Sequence, residues 1–173
     1  MNRRGLLRAV FGAFAAGGVS HGAAAAAGAA VSPDVAELQK NWRMFLAQGI
    51  NPPSPAQKVT LSKDEWRKRL TKEQFYVLRE EGTERAGTSP LNAEKREGIY
   101  ACAGCELPLF TSQMKYESGT GWPSFYAALP GATGTKADRK LGFVRTEVHC
   151  GRCGGHLGHI FDDGPAPREN DTA

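Results

Sequence analysis

The chain has 173 residues, enough for one domain, and its 40% hydrophobic content fits a soluble globular protein rather than a membrane bundle or a disordered chain. Lys and Arg number 22 against 18 Asp and Glu, a net charge of +4. Arg3, Arg4 and Arg8 hold most of that excess, so the rest of the chain is near balance, shows no basic face and argues against a nucleic-acid partner.

Residues 1–30 read as an export signal. Arg3 and Arg4 make a basic start, residues 6–19 are largely apolar, and the alanine-rich stretch 23–30 offers small-residue cleavage sites. The stretch is short, interrupted by Arg8 and diluted with Ala and Gly, which disfavours a membrane anchor. Asn2-Arg3-Arg4-Gly5-Leu6-Leu7 resembles a twin-arginine signal, so the expectation is a protein exported already folded, to the periplasm.

Residues 31–60 are expected to form a helix and a proline-rich linker. Ser32-Pro33-Asp34 opens the helix with Pro at its first position, Val35, Leu38, Trp42 and Phe45 recur at helical spacing, and Gly49 ends it. Residues 51–55, Asn-Pro-Pro-Ser-Pro, are too proline-rich for helix or central strand. Ser62-x-x-Glu65 and Thr71-x-x-Gln74 each have the form of a capping box and predict two short helices, with Gly82 as the stop. Trp66, Leu70, Phe75 and Leu78 are their core positions.

From Gly98 the pattern changes to short strands between glycines. Gly98-Ile99-Tyr100 leads into Cys102-Ala103-Gly104-Cys105, and residues 143–148 alternate into Cys150-Gly151-Arg152-Cys153, with a further strand over 157–161. These two Cys-x-x-Cys pairs use all 4 cysteines. Two such turns supply the four soft ligands of a tetrahedral Zn2+, here a structural one joining distant parts of the chain through Cys102, Cys105, Cys150 and Cys153. Two disulfides, or a redox-active Cys-x-x-Cys, are the rival readings. The fold class implied is mainly β (α+β): a small antiparallel two-sheet domain stabilised by zinc, with short N-terminal helices.

Several motifs occur in one order: Gly82-Thr83-Glu84-Arg85, the first cysteine pair, Gly119-Thr120-Gly121-Trp122-Pro123-Ser124-Phe125, Arg145-Thr146-Glu147-Val148, and Cys150-x-x-Cys153-x-x-His156-Leu157-Gly158-His159. In these the chain resembles the methionine-R-sulfoxide reductases, the MsrB family, over residues 61–165. The resemblance implies reduction of methionine-R-sulfoxide, in proteins or as the free amino acid, by thiol chemistry, in a monomer served by a thioredoxin-like dithiol reductant. It also implies that Trp122 walls off the substrate methyl group, and that His156 and His159 face the pocket and orient water or protonate the departing oxygen. His149 has no counterpart and reads as an ordinary strand or surface residue.

The pattern departs at its end. The family continues past its Asp-Gly-Pro with Pro-Thr-Gly-x-Arg-Tyr-Cys-x-Asn, whose cysteine is the nucleophile. Here residues 166–173 read Ala-Pro-Arg-Glu-Asn-Asp-Thr-Ala, a polar tail expected to be disordered. With no catalytic cysteine in the sequence, impaired or absent turnover is the expectation. A non-catalytic zinc module that binds peptides or sulfoxide side chains is the competing reading, and a zinc-ribbon nucleic-acid binder is disfavoured by charge.

Overall fold

A computed structural model describes residues 7–10, 34–140, 142–162 and 164, the first four as backbone pairing only. The remainder of the expected export signal, Ser32 and Pro33, and the tail 166–173 lie outside the described residues. Within the expected signal, strand β1 (Leu7–Val10) pairs antiparallel with a strand from the middle of the chain, Leu7 opposite Cys102.

Helix α1 (Val35–Asn41) starts one turn signal later than expected. Asp34 is the N-cap, its carboxylate accepting the Ala36 N–H at 2.9 Å, so Val35 is the first helical residue. The helix passes into a 3-10 turn (Trp42–Phe45) and Leu46 is already extended, well short of Gly49. Leu38 and Phe45 are buried there. The residues just after the proline-rich segment are tied down. Lys58 Nζ donates to the Gly151 carbonyl at 2.5 Å, Val59 N–H to Arg152 O at 3.0 Å, and Arg152 Nε to Gln57 O at 2.8 Å. These residues strap the second cysteine turn.

Helices α2 (Lys63–Arg69) and α3 (Lys72–Glu80) both carry complete capping boxes at Ser62/Glu65 and Thr71/Gln74. Short helices are marginal alone, so these reciprocal caps and the buried Trp66, Leu70, Phe75 and Leu78 hold them together. The stop of α3 differs from expectation. Glu81 takes the left-handed position (φ 55°), and Gly82 follows it with its N–H on the Tyr76 carbonyl at 2.9 Å.

The β part consists of antiparallel pairs. Strands β2 (Ile99–Cys102) and β3 (Pro108–Thr111) join β1 in the order β1-β2-β3, and β4 (Lys115–Tyr116) and β5 (Ser124–Phe125) form a two-stranded ribbon. Strands β6 (Thr133–Asp138), β7 (Arg145–Cys150) and β8 (His156–His159) form a second three-stranded sheet in sequence order. The expected strand from Phe143 begins only at Arg145, because Gly142 (φ 81°) and the exposed Phe143 and Val144 belong to the turn from β6. Likewise β8 starts at His156 and ends before Ile160.

The core gathers Ile99, Tyr100, Leu107, Leu109 and Met114, each at most 1% exposed, with the four cysteines and the inner faces of α2 and α3. Phe125 stacks on Phe110 at 4.1 Å between centroids and meets the Tyr100 ring edge-on at 4.9 Å, fixing the ribbon to the first sheet. Among the described residues no helix is long and apolar enough to cross a membrane.

Candidate metal centre and histidine site

The two cysteine turns are built alike. Cys102 ends β2 and Cys150 ends β7. In each, the carbonyl of the first cysteine accepts the N–H four residues on, from Glu106 at 2.8 Å and from Gly154 at 2.9 Å. Those fifth residues both have positive φ, 65° at Glu106 and 66° at Gly154, and the first-cysteine N–H groups bond Leu107 O (2.9 Å) and Gly155 O (2.8 Å). Two copies of one turn therefore face each other from two sheets.

The four sulfurs lie within 4.8 Å of one another, all buried. Cys102 Sγ is 3.8 Å from Cys153 Sγ, and Cys105 Sγ is 3.5 Å from Cys150 Sγ. A disulfide needs about 2.05 Å, so these are four free thiols. An ion with metal–sulfur bonds of about 2.3 Å sets tetrahedral edges of about 3.8 Å, close to what is seen. Crowding polarises the set: the Cys102 thiol, then those of Cys150 and Cys153, hold Cys105 well below the usual thiol range, while Cys102 is pushed up. Packed sulfurs cannot all ionise without a cation among them, so the group fits a soft divalent metal. The cluster could hold a metal ion, and its role there would be structural, since every position is closed by protein.

The second turn delivers the histidines. Residues three apart on a regular strand point to opposite faces. Here Val148 pairs with Gly158 and His149 with His156, leaving Leu157 as an extra residue. This bulge brings His156 and His159 to one face, their rings 5.3 Å apart at 65°. His149 sits opposite Gly134, where a Cβ would meet its Nε2 at 2.6 Å, an ordinary strand position.

Behind each histidine stands a carboxylate that the sequence reading missed. Glu147 Oε1 is 3.1 Å from His156 Nδ1, the two side chains 2% and 6% exposed. Asp138 Oδ2 is 2.8 Å from His159 Nε2. Cations back both acids: Lys136 Nζ lies 3.2 Å from Glu147 Oε2, and Arg145 Nη2 lies 2.6 Å from Asp138 Oδ2. The Lys140 backbone N–H first, then His159 and Arg145, hold the Asp138 carboxyl well below the usual range. The Arg-x-Glu of the motif at 145–147 was the available signal, since alternate residues of a strand share a face.

Trp122 lies on the turn just before β5. It is 40% exposed, and its indole N–H donates to the Glu84 carbonyl at 2.9 Å. Gly121 O accepts from Gly87 N–H and Asn92 Nδ2, both at 2.7 Å, which pins the turn. The segment after α3 spans both parts: Glu81 pairs with Lys136 and Lys140 of the histidine sheet, and Glu84 holds Trp122. Phe143, Val144, Ile160 and Phe161 are all at least half exposed at the end of β7 and β8 next to His159, where Ile160 N–H bonds Thr146 O at 2.9 Å. A cleft of about 230 Å³ lined by Glu94, Lys95, Ser112, Lys115, Tyr116 and Glu117 shares no residue with this group.

The SelR domain model matches residues 70–172. The chain belongs to the SelR family, that of the methionine-R-sulfoxide reductases. The match continues to residue 172, past the point where the motif pattern breaks. A peptide methionine sulfoxide reductase MsrB of Agrobacterium fabrum is 50% identical over 111 residues, covering 64% of this chain and 82% of that protein. One of Pseudomonas putida strain GB-1 is 50% identical over 111 residues, 64% of this chain and 85% of its own length. The chloroplastic peptide methionine sulfoxide reductase B1 of Oryza sativa subsp. japonica is 50% identical over 114 residues, which is 65% of this chain and 53% of that protein. In this SelR chain Cys150, Cys153 and the two histidines occupy successive segments of one strand-turn-strand unit, so the second cysteine turn sets where the histidines stand.

Proposed function

We propose that this chain serves methionine-R-sulfoxide reduction, with Trp122, His156 and His159 as the sulfoxide site and a structural Zn2+ on Cys102, Cys105, Cys150 and Cys153. The observation that carries the reading is the paired histidines, brought to one face by the bulge and each backed by a carboxylate. A sulfoxide oxygen only accepts hydrogen bonds, so donors are what its site needs, and Trp122 supplies a flat apolar surface for the methyl group.

The reaction itself needs a thiolate. It attacks the sulfoxide sulfur, the oxygen passes to the thiol sulfur as a sulfenic acid, and methionine leaves; a second thiol then forms a disulfide and releases water. A dithiol reductant of the thioredoxin type restores the thiols. All 4 cysteines among the 173 residues belong to the metal cluster, so this chain is proposed to bind the sulfoxide without turning it over. An impaired reductase and the competing reading, a zinc module that only binds oxidised methionine, therefore differ only in residual turnover.

Titration with the two epimers of N-acetyl-methionine sulfoxide, followed by a turnover assay with dithiothreitol, tests both. Preferential binding of the R epimer without turnover is expected. Equal or no binding of the epimers would end the pocket assignment, and robust turnover would mean that a cluster cysteine is catalytic and the zinc assignment wrong. Export to the periplasm through the leader, as a monomer, completes the proposal; a reporter fused after residue 30 that stays in the cytoplasm would remove the export part.

A further inference from the structure

The two histidines are held by different ring nitrogens. His156 turns Nδ1 to Glu147, whereas His159 turns Nε2 to Asp138. We propose that Glu147 and Asp138 are positioning residues that lock the pair in opposite tautomers, Nδ1–H on His156 and Nε2–H on His159, leaving His156 Nε2 and His159 Nδ1 as acceptors for water whose other O–H donates to the sulfoxide oxygen. The substrate half of this inference rests on the function proposed above; the tautomers do not.

The argument is one of donors and acceptors. An ionised carboxylate only accepts, so the ring nitrogen facing it must carry the proton. Asp138 is fully engaged as an anion: Oδ1 accepts the Lys140 N–H at 3.0 Å, and Oδ2 faces both Arg145 and His159. Glu147 is tied through Oε2 to Lys136, which is tied in turn to Glu81. Its Oε1 and His156 Nδ1 are buried 3.1 Å apart, and neither has a hydrogen-bond partner elsewhere among the described residues, so each is the one group placed to satisfy the other. Leaving either buried atom unmatched carries its full desolvation penalty, so a proton on Nδ1 shared with Oε1 is the low-energy arrangement.

The remaining charged groups agree. On β6 the neighbours are Lys136 and Asp138, on β7 Arg145 and Glu147, and from the end of α3 only Glu81, which faces Lys136 and Lys140 rather than either ring. Among the described residues each histidine therefore has one acid behind it and each acid one cation in ion-pair contact, with the Lys140 charge acting on both acids from further off. The opposite tautomers follow from the bulge: without the extra Leu157 only one of the two rings could reach this face.

Ring-15N NMR of the zinc-loaded 173-residue chain tests the assignment directly. With the signals of the 4 histidines assigned by replacing His21 and His149 in turn, His156 is expected as Nδ1–H and His159 as Nε2–H, with Glu147→Gln losing the fixed Nδ1–H signature of His156 while His159 stays unchanged. Asp138→Asn should release His159 alone. Matching tautomers in the unmodified chain, or a His156 signature indifferent to Glu147→Gln, would overturn the proposal; the unmodified spectrum decides even if a variant fails to fold. Added N-acetyl-methionine-R-sulfoxide should shift His156 Nε2 and His159 Nδ1, and Glu147→Gln should weaken its binding about tenfold. Opposite tautomers without those shifts would overturn the substrate half and the function proposed above, while leaving the positioning role of the two acids standing.

Discussion

Gly151 shows what a single residue does for the metal centre. A Cβ there would meet Gly131 O at 2.4 Å and Ala132 O at 3.1 Å, backbone atoms that cannot swing aside, and the Gly151 N–H already bonds Ala132 O at 2.7 Å. Its partner position in the first turn is not equivalent: a Cβ on Gly104 would touch Leu78 Cδ1 at 3.4 Å, an ordinary contact. Gly151→Ala should therefore cost about 1–3 kcal/mol of stability, as overpacking does, and Gly104→Ala much less. Equilibrium denaturation of the two variants checks this, and equal losses would show that the glycines serve turn conformation instead. The glycines around both cysteine pairs were legible in the sequence, but their reason was not. Periodicity reports which residues are small; it cannot report that β6 lies against one turn and a helix side chain against the other.

At the scale of elements, α3 is joined to the histidine sheet by Glu81. Lys136 first, and Lys140 with it, pull the Glu81 carboxyl from 4.5 to about 2. A depressed acid contributes stability that is present above its unfolded value and is lost as pH falls toward the folded one. Glu81→Gln should thus lower the melting temperature at pH 7, by under about 1 kcal/mol of stability for so exposed a pair, and the two proteins should converge as pH falls from about 4.5 to 2. A difference that persisted at pH 2 would assign the loss to the left-handed cap and not to charge. The helices α2 and α3 were readable because a capping box is a local signal, satisfied within four residues. Strand β6 was not: Thr-Gly-Thr-Lys-Ala-Asp has no apolar alternation, and it is a strand because β7 pairs with it residue by residue from Thr133 opposite Cys150 to Asp138 opposite Arg145. The carboxylate behind His159 was hidden for the same reason. The bulge at Leu157 is likewise invisible in a His-x-x-His spacing, which on an unbroken strand would separate the two rings.

At the scale of the whole molecule, both three-stranded sheets, the strap and α3 meet at the cluster. Cys102 and Cys105 come from the first sheet, Cys150 and Cys153 from the second; Arg152 Nη1 donates to Cys105 O at 2.6 Å, and Arg79 Nη1 on α3 donates to Cys153 O at 2.9 Å. Leu78 lies over both turns, close to Gly104 and Gly155. A metal held there would tie the two sheets through four ligands, in addition to the shared core and the Leu129 N–H bond to Leu109 O at 2.9 Å, and binding energy at such a site is folding energy. Purified protein should contain one zinc per chain. Stripping it with a strong chelator should abolish the cooperative thermal transition, and returning zinc should restore it. Cys105→Ser should behave like the stripped protein, because a weaker ligand leaves three packed thiols competing for protons. The histidines should respond as well: β8 follows the second turn directly, so loss of metal should erase the two distinct imidazole environments even where strand content survives. Full thermal stability with no bound metal and four free thiols would show that packing alone holds the sheets, and the structural role given to zinc would then fall.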